Sequence, residues 1–467
     1  MKGTETTRFD ADYFQKAYIQ DANLISLNKG RFRLFQDLRL AVDGSAFYPA
    51  IESYYDSGSL PFLRVADVDS VINLEQCTTI PRELCDIFPT LKLVKPGDIV
   101  LTKGGSVARV GLVTKEAAAS RDLIFINSSK LPERDYTFLY LYFQTNFCNR
   151  LLIRSSSQTA QPHLTITLVR NLPLLDVSDE FKQKCLEVVQ ASFFARGKSL
   201  NLYTAAEQTL LTELGLRDWQ PPAPLTYQRK ASDVLRAGRL DVEHFHPKFE
   251  AAIEELKRKG AIHFIELGQM LFGITNGHTP LHHDFSIGEV PFLGAEHVKD
   301  FRIDYEPDRL ITVEQHTGEL ARTRLQNGDL LITIKGRVGN TAVVEGLEKE
   351  VNINQDIARL RLTNALPHWY VAAFLNSRFG KLMIEKFSTG QINPFLGLAN
   401  VRLLPIPVFD VAVMNRIAYS THQLINDAYS SQTQAKLLLE RAKRAVEIAI
   451  EESEAAALTY LDAKLSK

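Results

Sequence analysis

Histidine pairs at His244-Phe245-His246 and His282-His283-Asp284 put imidazoles close enough to share a metal ion. A strand through the first would turn both rings to one side. Neither pair has further ligands at zinc spacing, so metal binding is not expected. Asp98 with Glu116, and Asp329 with Glu345, have the residue types of paired nuclease carboxylates. Each aspartate follows a glycine at the head of an apolar run, where its carboxylate is expected to cap turn N–H groups instead. Lys103-Gly104-Gly105-Ser106 is too short to cradle a phosphate alone, and no Walker A, Gly-x-Ser-x-Gly or dinucleotide fingerprint occurs.

Asn393-Pro394-Phe395 resembles the Asn-Pro-Pro-aromatic loop with which amino-methyltransferases hold an amine. Its second proline is missing, and Phe395-Leu396-Gly397-Leu398 lacks a glycine-rich cofactor turn. It reads as a turn opening a short apolar helix. Local charge is more informative. From Arg322 to Arg402 there are eleven Lys/Arg against six Asp/Glu, in a chain whose net charge is -1. One basic face on a neutral protein is what contact with phosphates needs. Lys335 and Arg337 flank Gly336 in a turn, and Lys381 and Lys386 follow an apolar helical patch. Asn354, Gln355, Ser388, Thr389 and Gln391 have the donors and acceptors that read base edges. In the first half of the chain Lys103, Ser106 and Arg109 stand in the corresponding stretch.

A repeat positions these residues. Gly97-Asp98-Ile99-Val100-Leu101-Thr102 returns as Gly328-Asp329-Leu330-Leu331-Ile332-Thr333, an offset of 231. Arg8-Phe9-Asp10-Ala11-Asp12 returns at the same offset as Arg239-Leu240-Asp241-Val242-Glu243. Leu60-Pro61-Phe62-Leu63 returns as Val290-Pro291-Phe292-Leu293, Phe147 as Phe379, and Val169-Arg170-Asn171-Leu172-Pro173 as Val401-Arg402-Leu403-Leu404-Pro405. Ordered matches at nearly one offset indicate tandem duplication. Nothing in the first copy matches Asn352–Asp356 well; Phe125-Ile126-Asn127-Ser128 is the nearest stretch.

Short β-rich runs broken by Gly, Pro and Asn make each copy a compact α+β domain, over 1–177 and 239–409. Helical stretches follow at 178–216 and 410–462, with a proline-bearing linker over 217–238. Leu186, Val189, Phe193 and Phe194 are the expected buried stripe of the first helix, which is capped by Asp179 and stopped by Gly215. Ile417, Leu424, Ala428, Leu437, Leu438, Val446, Ile450, Ala457 and Leu461 are that of the second, with any short break expected near Ser430-Ser431. At 1.5 Å per residue these stretches are about 55 and 75 Å long, and helices of that length need partners. Pairing them antiparallel predicts a tandem pseudo-two-fold repeat of globular domains joined by a coiled-coil-like spacer. Such a spacer would be a ruler longer than a DNA helical turn of about 34–36 Å.

Bulk composition agrees with packed domains: 45% hydrophobic, 23% charged, 26 Phe. Cys77, Cys85, Cys148 and Cys185 have no metal spacing. With no apolar leader and no long apolar run, a reduced, cytoplasmic protein is expected, with no membrane span.

The chain resembles the specificity (S) subunit of type I restriction–modification enzymes. The residues that carry the likeness are the Arg-x-Asp-x-Asp/Glu openings, Gly328–Gly339, Asn352-Ile353-Asn354-Gln355-Asp356-Ile357, Ala373-Phe374-Leu375-Asn376-Ser377, Ser388-Thr389-Gly390-Gln391 and Leu404-Pro405-Ile406-Pro407. The resemblance covers almost the whole chain. It implies two target-recognition domains, each reading half of a split double-stranded DNA sequence, with helices that set the gap. It further implies a non-catalytic DNA-binding subunit of a hetero-oligomer with two modification (methyltransferase) subunits, joined by restriction/translocase subunits where the complex also cuts. S-adenosylmethionine would bind the partner, and this chain would hold no cofactor. The competing readings are a helical-rod scaffold without DNA recognition and a self-contained DNA methyltransferase.

Overall fold

The computed structural model describes residues 15–47, 49–75, 77–104, 108–155, 163–390 and 393–463. The first opening motif, Arg8–Asp12, lies outside them. Two compact units form, one from 1–196 with 433–467, the other from 197–432.

In the first unit, β1 (Val42–Gly44), β2 (Leu60–Leu63), β3 (Ile99–Thr102), β4 (Val110–Leu112), β5 (Ala117–Ala119) and β6 (Leu123–Ile126) supply two sheets. One runs β1-β6-β3-β4, while β2 pairs parallel with β5, Phe62 opposite Ala118. In the second unit the strands that matter here are β7 (Leu271–Asn276), β8 (Val290–Leu293), β9 (Val298–Lys299), β10 (Arg302–Ile303), β11 (Leu330–Thr333), β12 (Thr341–Val343), β13 (Asn352–Ile353) and β14 (Ile357–Leu362). The order β7-β14-β11-β12 and the parallel pairing of Phe292 with Asn352 repeat the first unit's topology. The duplication is therefore one of hydrogen-bond pattern as well as of residues.

β3 and β11 are buried along their whole length, because each separates two cores. Leu330, Ile332, Ala358 and Leu360 face the helices His368–Asn376 and Arg378–Phe387, among them Tyr370 and Phe374. Leu331 and Ile357 face the small sheet, with Leu293 and Ile353. Ile99 and Leu101, against Val100, divide the same way. An uninterrupted apolar run is what a strand covered on both faces requires.

The turn before each central strand shares its glycine conformation and its first carboxylate bond. Gly97 (φ 89°) and Gly328 (φ 91°) take left-handed backbone that a side chain would strain. Asp98 and Asp329, 2% and 3% exposed, each accept from the N–H three residues back, Lys95 at 2.8 Å and Gln326 at 2.9 Å. Asp98 also accepts from Ser129 N, whereas Asp329 is bonded to Arg361 Nε at 2.9 Å. Glu116 lies instead on Arg82, and Glu345 on Trp369 and His422. These carboxylates are architecture.

The long helices are Asp179–Glu213 and Val411–Glu451. In the first unit Ser178 meets Glu454 and Ser192 Oγ donates to Ala435 O at 2.7 Å, so the segments run antiparallel. In the second unit Ser199 Oγ donates to Ala428 O at 2.8 Å and Arg416 pairs with Glu213, again antiparallel. Two expected stripe members are displaced: Phe194 is 77% and Leu437 57% exposed. Ser192, Ser199 and Ala435 occupy the inward line, because small side chains let backbones approach and each serine hydroxyl finds a carbonyl across the seam. The helix runs unbroken through Ser430-Ser431. Its break falls at Glu452-Ser453, where Ser453 caps the final helix Glu454–Asp462.

Removing Asp329 strands the Arg361 guanidinium as well as the Gln326 N–H, whereas removing Asp98 strands only N–H groups. Asp329→Ala should cost the second unit about 3 kcal/mol, and Asp98→Ala should cost the first about 1–2 kcal/mol. Hydrogen exchange at the central strands measures both; equal losses would contradict the distinction.

Candidate nucleic-acid interface

Thr333 closes the loop that carries the expected cations. Its hydroxyl donates to Arg337 O at 2.5 Å and accepts from Asn340 N at 2.9 Å, while Gly339 N reaches Thr333 O. Gly336 and Gly339 take positive φ. The loop therefore projects Lys335 and Arg337, both exposed, from the end of a strand held between two cores. Lys335 Nζ stands 4.0 Å from Asp356 Oδ1 and 5.6 Å from the centre of the Phe395 ring. Phe395 is bridged to Thr389, and Leu396 N bonds Ile334 O. Phe395, the aromatic of the Asn393-Pro394-Phe395 segment, thus has both its backbone N–H and C=O bonded to Thr389 beside the loop.

Two cations that sequence reasoning missed converge here. Lys299 and Arg302 sit on the hairpin of β9 and β10, whose Ile303 N bonds Tyr429 Oη and whose Arg302 lies 5.3 Å over the Tyr203 ring. Partial burial, then the positive charges of Arg337 and Arg302, hold the Lys299 ammonium below the ordinary lysine range. Among the described residues, Lys299, Arg302 and Arg337 have no carboxylate within salt-bridge distance. Their neighbours do: Arg309 with Glu296, Arg324 with Glu350, Arg361 with Asp329. A hairpin about 35 residues upstream carries no sequence mark of this convergence; Asn340 Nδ2 on Val298 O and Phe301 N on Thr341 O hold it there.

Other expected residues are spent elsewhere. Lys381 pairs with Asp300 at 2.7 Å and donates to Gly339 O, on a separate cleft of about 500 Å³ that Glu207 also lines. Burial pushes the Lys386 ammonium down; it lies over the Phe249 ring and lines another pocket with Arg229 and Glu250. Ser388 Oγ donates to Ile384 O, and its carbonyl accepts from Arg239, which forks onto Asp241. His244 Nδ1 rests on Lys386 O and His246 caps a helix, so this opening motif latches that helix end. His283 stays on Pro280 O. Asn354, 5% exposed, closes a ring with Asp356, its Oδ1 accepting Asp356 N and its Nδ2 donating to the carboxylate. Gln355 is half-buried at that corner. Gln391 lies outside the described residues.

In the first unit the corner equivalent to Asn354–Asp356 is Ser120–Asp122, not Phe125–Ser128. Ser120 N bonds Leu63 O as Asn354 N bonds Leu293 O, and Lys103 N bonds Asp122 O as Ile334 N bonds Asp356 O. Phe125-Ile126 instead forms β6, and Ser128 caps back onto Gly97 O. Lys103 is partly exposed, Ser106 lies outside the described residues, and Arg109 lines a pocket of about 360 Å³ with Asp69, Gln144 and Asn149.

No protein-family model and no curated protein sequence matches the chain. Solved structures from type I restriction–modification systems, S subunits among them, match over nine-tenths of it. The S subunit from M. genitalium is 12% identical over 93% of this chain and 96% of that one, TM-score 0.40. A structure concerned with complex assembly and conformational transition of the type I R-M system gives 16%, 91%, 95% and 0.31. The HsdS subunit from Thermoanaerobacter tengcongensis gives 15%, 91%, 94% and 0.29. At these identities and scores the likeness transfers no function; the cations and loops of this chain must carry it.

Between the folded and unfolded pKa values of Lys299 the unfolded chain holds the extra proton, so the second unit gains stability as pH rises through that window. Arg337→Ala removes one repulsion and should move the Lys299 pKa upward, read by its side-chain NMR titration. An unmoved titration would separate the two charges.

Proposed function

We propose that this chain is a sequence-specific double-stranded DNA-binding subunit that directs methyltransferase subunits to a bipartite target. One observation carries it: Lys299 and Arg302 of the hairpin converge with Arg337, whose loop is braced by a doubly buried strand, and none of the three forms a salt bridge among the described residues. Glu296 and Asp304 offset the repulsion at Lys299 only in part, so an external anion would stabilise this array, and a polyanion suits it. The repeated unit supplies a second recognition surface. The helices Asp179–Glu213 and Val411–Glu451 each begin in one unit and end in the other, which suits a spacer that sets the gap between half-sites.

Catalysis and S-adenosylmethionine belong, on this reading, to the partner, which would flip its target base from the stack. Exposed Phe194 and Leu437 give the long helices apolar contacts for protein subunits, restriction/translocase subunits joining where the complex also cuts. Among the described residues no helix is long and apolar enough to cross a membrane, which accords with a cytoplasmic subunit.

Binding to duplex DNA at a series of salt concentrations tests the central claim. Lys335→Ala and Arg337→Ala should each weaken binding across sequences and reduce the log–log salt slope by about 1. Unchanged affinity at low salt would remove those residues from the interface, and salt-insensitive or absent binding by the unaltered chain would favour a scaffold. Methylated sites mapped after co-expression with a neighbouring methyltransferase test the spacer. Adding or deleting one helical turn within 179–213 should change the tolerated gap, and an unchanged gap would sink the ruler.

A further inference from the structure

Beside the cation loop stands a second structure that phosphate binding does not require. Residues 277–289 leave β7 and pass the Gln355 corner. Gly277 lies flush on it: an added Cβ would sit 1.9 Å from Ile353 O. Asn276 Nδ2 donates to Gln355 O at 3.4 Å, and Thr279 Oγ1 donates to Gln355 Oε1 at 2.8 Å. The far side is fixed as well. His282 O accepts from Gln315 Nε2 at 2.6 Å, and Phe285 stacks on Phe292, ring centres 5.5 Å apart. Leu281, two residues beyond Thr279, is 87% exposed on this braced loop. The backbone joins this corner to the cation loop through Ile334 N and Asp356 O at 2.8 Å.

An amide oxygen has two lone pairs and its nitrogen two protons. With one lone pair taken by Thr279, Gln355 still offers an acceptor and a donor side by side from a held position. That pair complements the N6 amino group and N7 of adenine in the major groove, the edge on which thymine of the same pair presents its methyl group. An apolar side chain left in water two residues beyond the threonine that holds such an amide has that methyl as a matching contact.

Resting on the DNA-binding reading above, we infer that Gln355 and Leu281 form a base-reading pair selective for A·T, Gln355 on the adenine edge and Leu281 on the thymine methyl. They would set sequence preference, while Lys299, Arg302, Lys335 and Arg337 set affinity. Asn354 and Thr279 are positioning residues: the first shapes the corner and the second aims the amide.

The test selects duplexes from a random library with the full chain, then measures binding to the selected site with single substitutions. An A·T pair in that site should lose at least about fivefold in affinity on replacing adenine by 7-deazaadenine, which lacks N7, and should lose affinity on replacing thymine by uracil, which lacks the methyl. With Gln355→Ala the first loss should disappear, and with Leu281→Ala the second. Gln355→Glu keeps the bond from Thr279 but has no donor, so it should behave as Gln355→Ala even if the alanine variant folds poorly. Neither alanine substitution should lower the salt slope, since neither changes the charge. Additive effects of protein and base changes, or the same selected sequence with Gln355→Ala and Gln355→Glu, would overturn the pairing while leaving DNA binding intact. No DNA binding by the unaltered chain would overturn both readings.

Discussion

A carboxylate with almost no solvent contact has to be bonded within the protein, and Asp329 is bonded on both oxygens, to Gln326 N–H and to Arg361. This turn makes the rest of the second unit possible. The left-handed glycine before it reverses the chain, the aspartate pins the reversal, and β11 enters the interior with both faces ready for a core. Thr333, at the far end of that strand, is therefore a fixed point from which the hydroxyl bonds close the Lys335–Arg337 loop. Asp98 and Thr102 do the same in the first unit, Thr102 accepting from Arg109 N at 2.9 Å. A functional loop hung on a buried strand has little freedom to lose on binding, which favours selectivity over adaptability.

The elements that repeat by residue type were legible in the sequence: the Gly-Asp turns, the apolar central strands, the long helices and the basic glycine loop. What escaped was set by partners distant along the chain. Lys381 and Lys386 look like free surface cations, yet one is held by Asp300 and the other half-buried on Phe249. Lys299 and Arg302 look unremarkable in sequence, yet a two-stranded hairpin delivers them to Arg337. The helix seam was misread at Phe194 and Leu437 because its inward line is partly serine and alanine, whose merit is size and not hydrophobicity. Ser120–Asp122 could not be matched to Asn354–Asp356 by residue, since the corner is conserved between the copies only in what its backbone bonds.

The two units share a frame and differ where the frame meets solvent. Val298-Lys299 corresponds to Val68-Asp69, Lys335 to Gly104, and Phe395 to His163, whose ring lies against Gly104 as Phe395 lies beneath Lys335. A cation in one copy is replaced by an acid or by no side chain in the other, while the buried turn, strand order and corner bonds persist. Duplication followed by divergence outside the shared four-stranded sheet lets one scaffold present two different surfaces.

Within the second unit, affinity and selectivity call for opposite chemistry, and the residues separate accordingly. Phosphate attraction needs cations outside internal salt bridges, as Lys299, Arg302 and Arg337 are among the described residues, and it is indifferent to base identity. Base reading needs side chains that are held before contact, so that a wrong edge leaves a bond unmade instead of prompting a rotation. Gln355 is held by Thr279 and by its own carbonyl bond to Asn276; Lys335 is tethered only by a 4.0 Å approach to Asp356 and a ring contact. An exposed charge attracts a phosphate of any sequence, whereas the fixed amide can satisfy only the edge that fits it. Placing both beside one corner, joined by a single backbone bond from Ile334 to Asp356, makes the register set by the cations the register in which the amide reads.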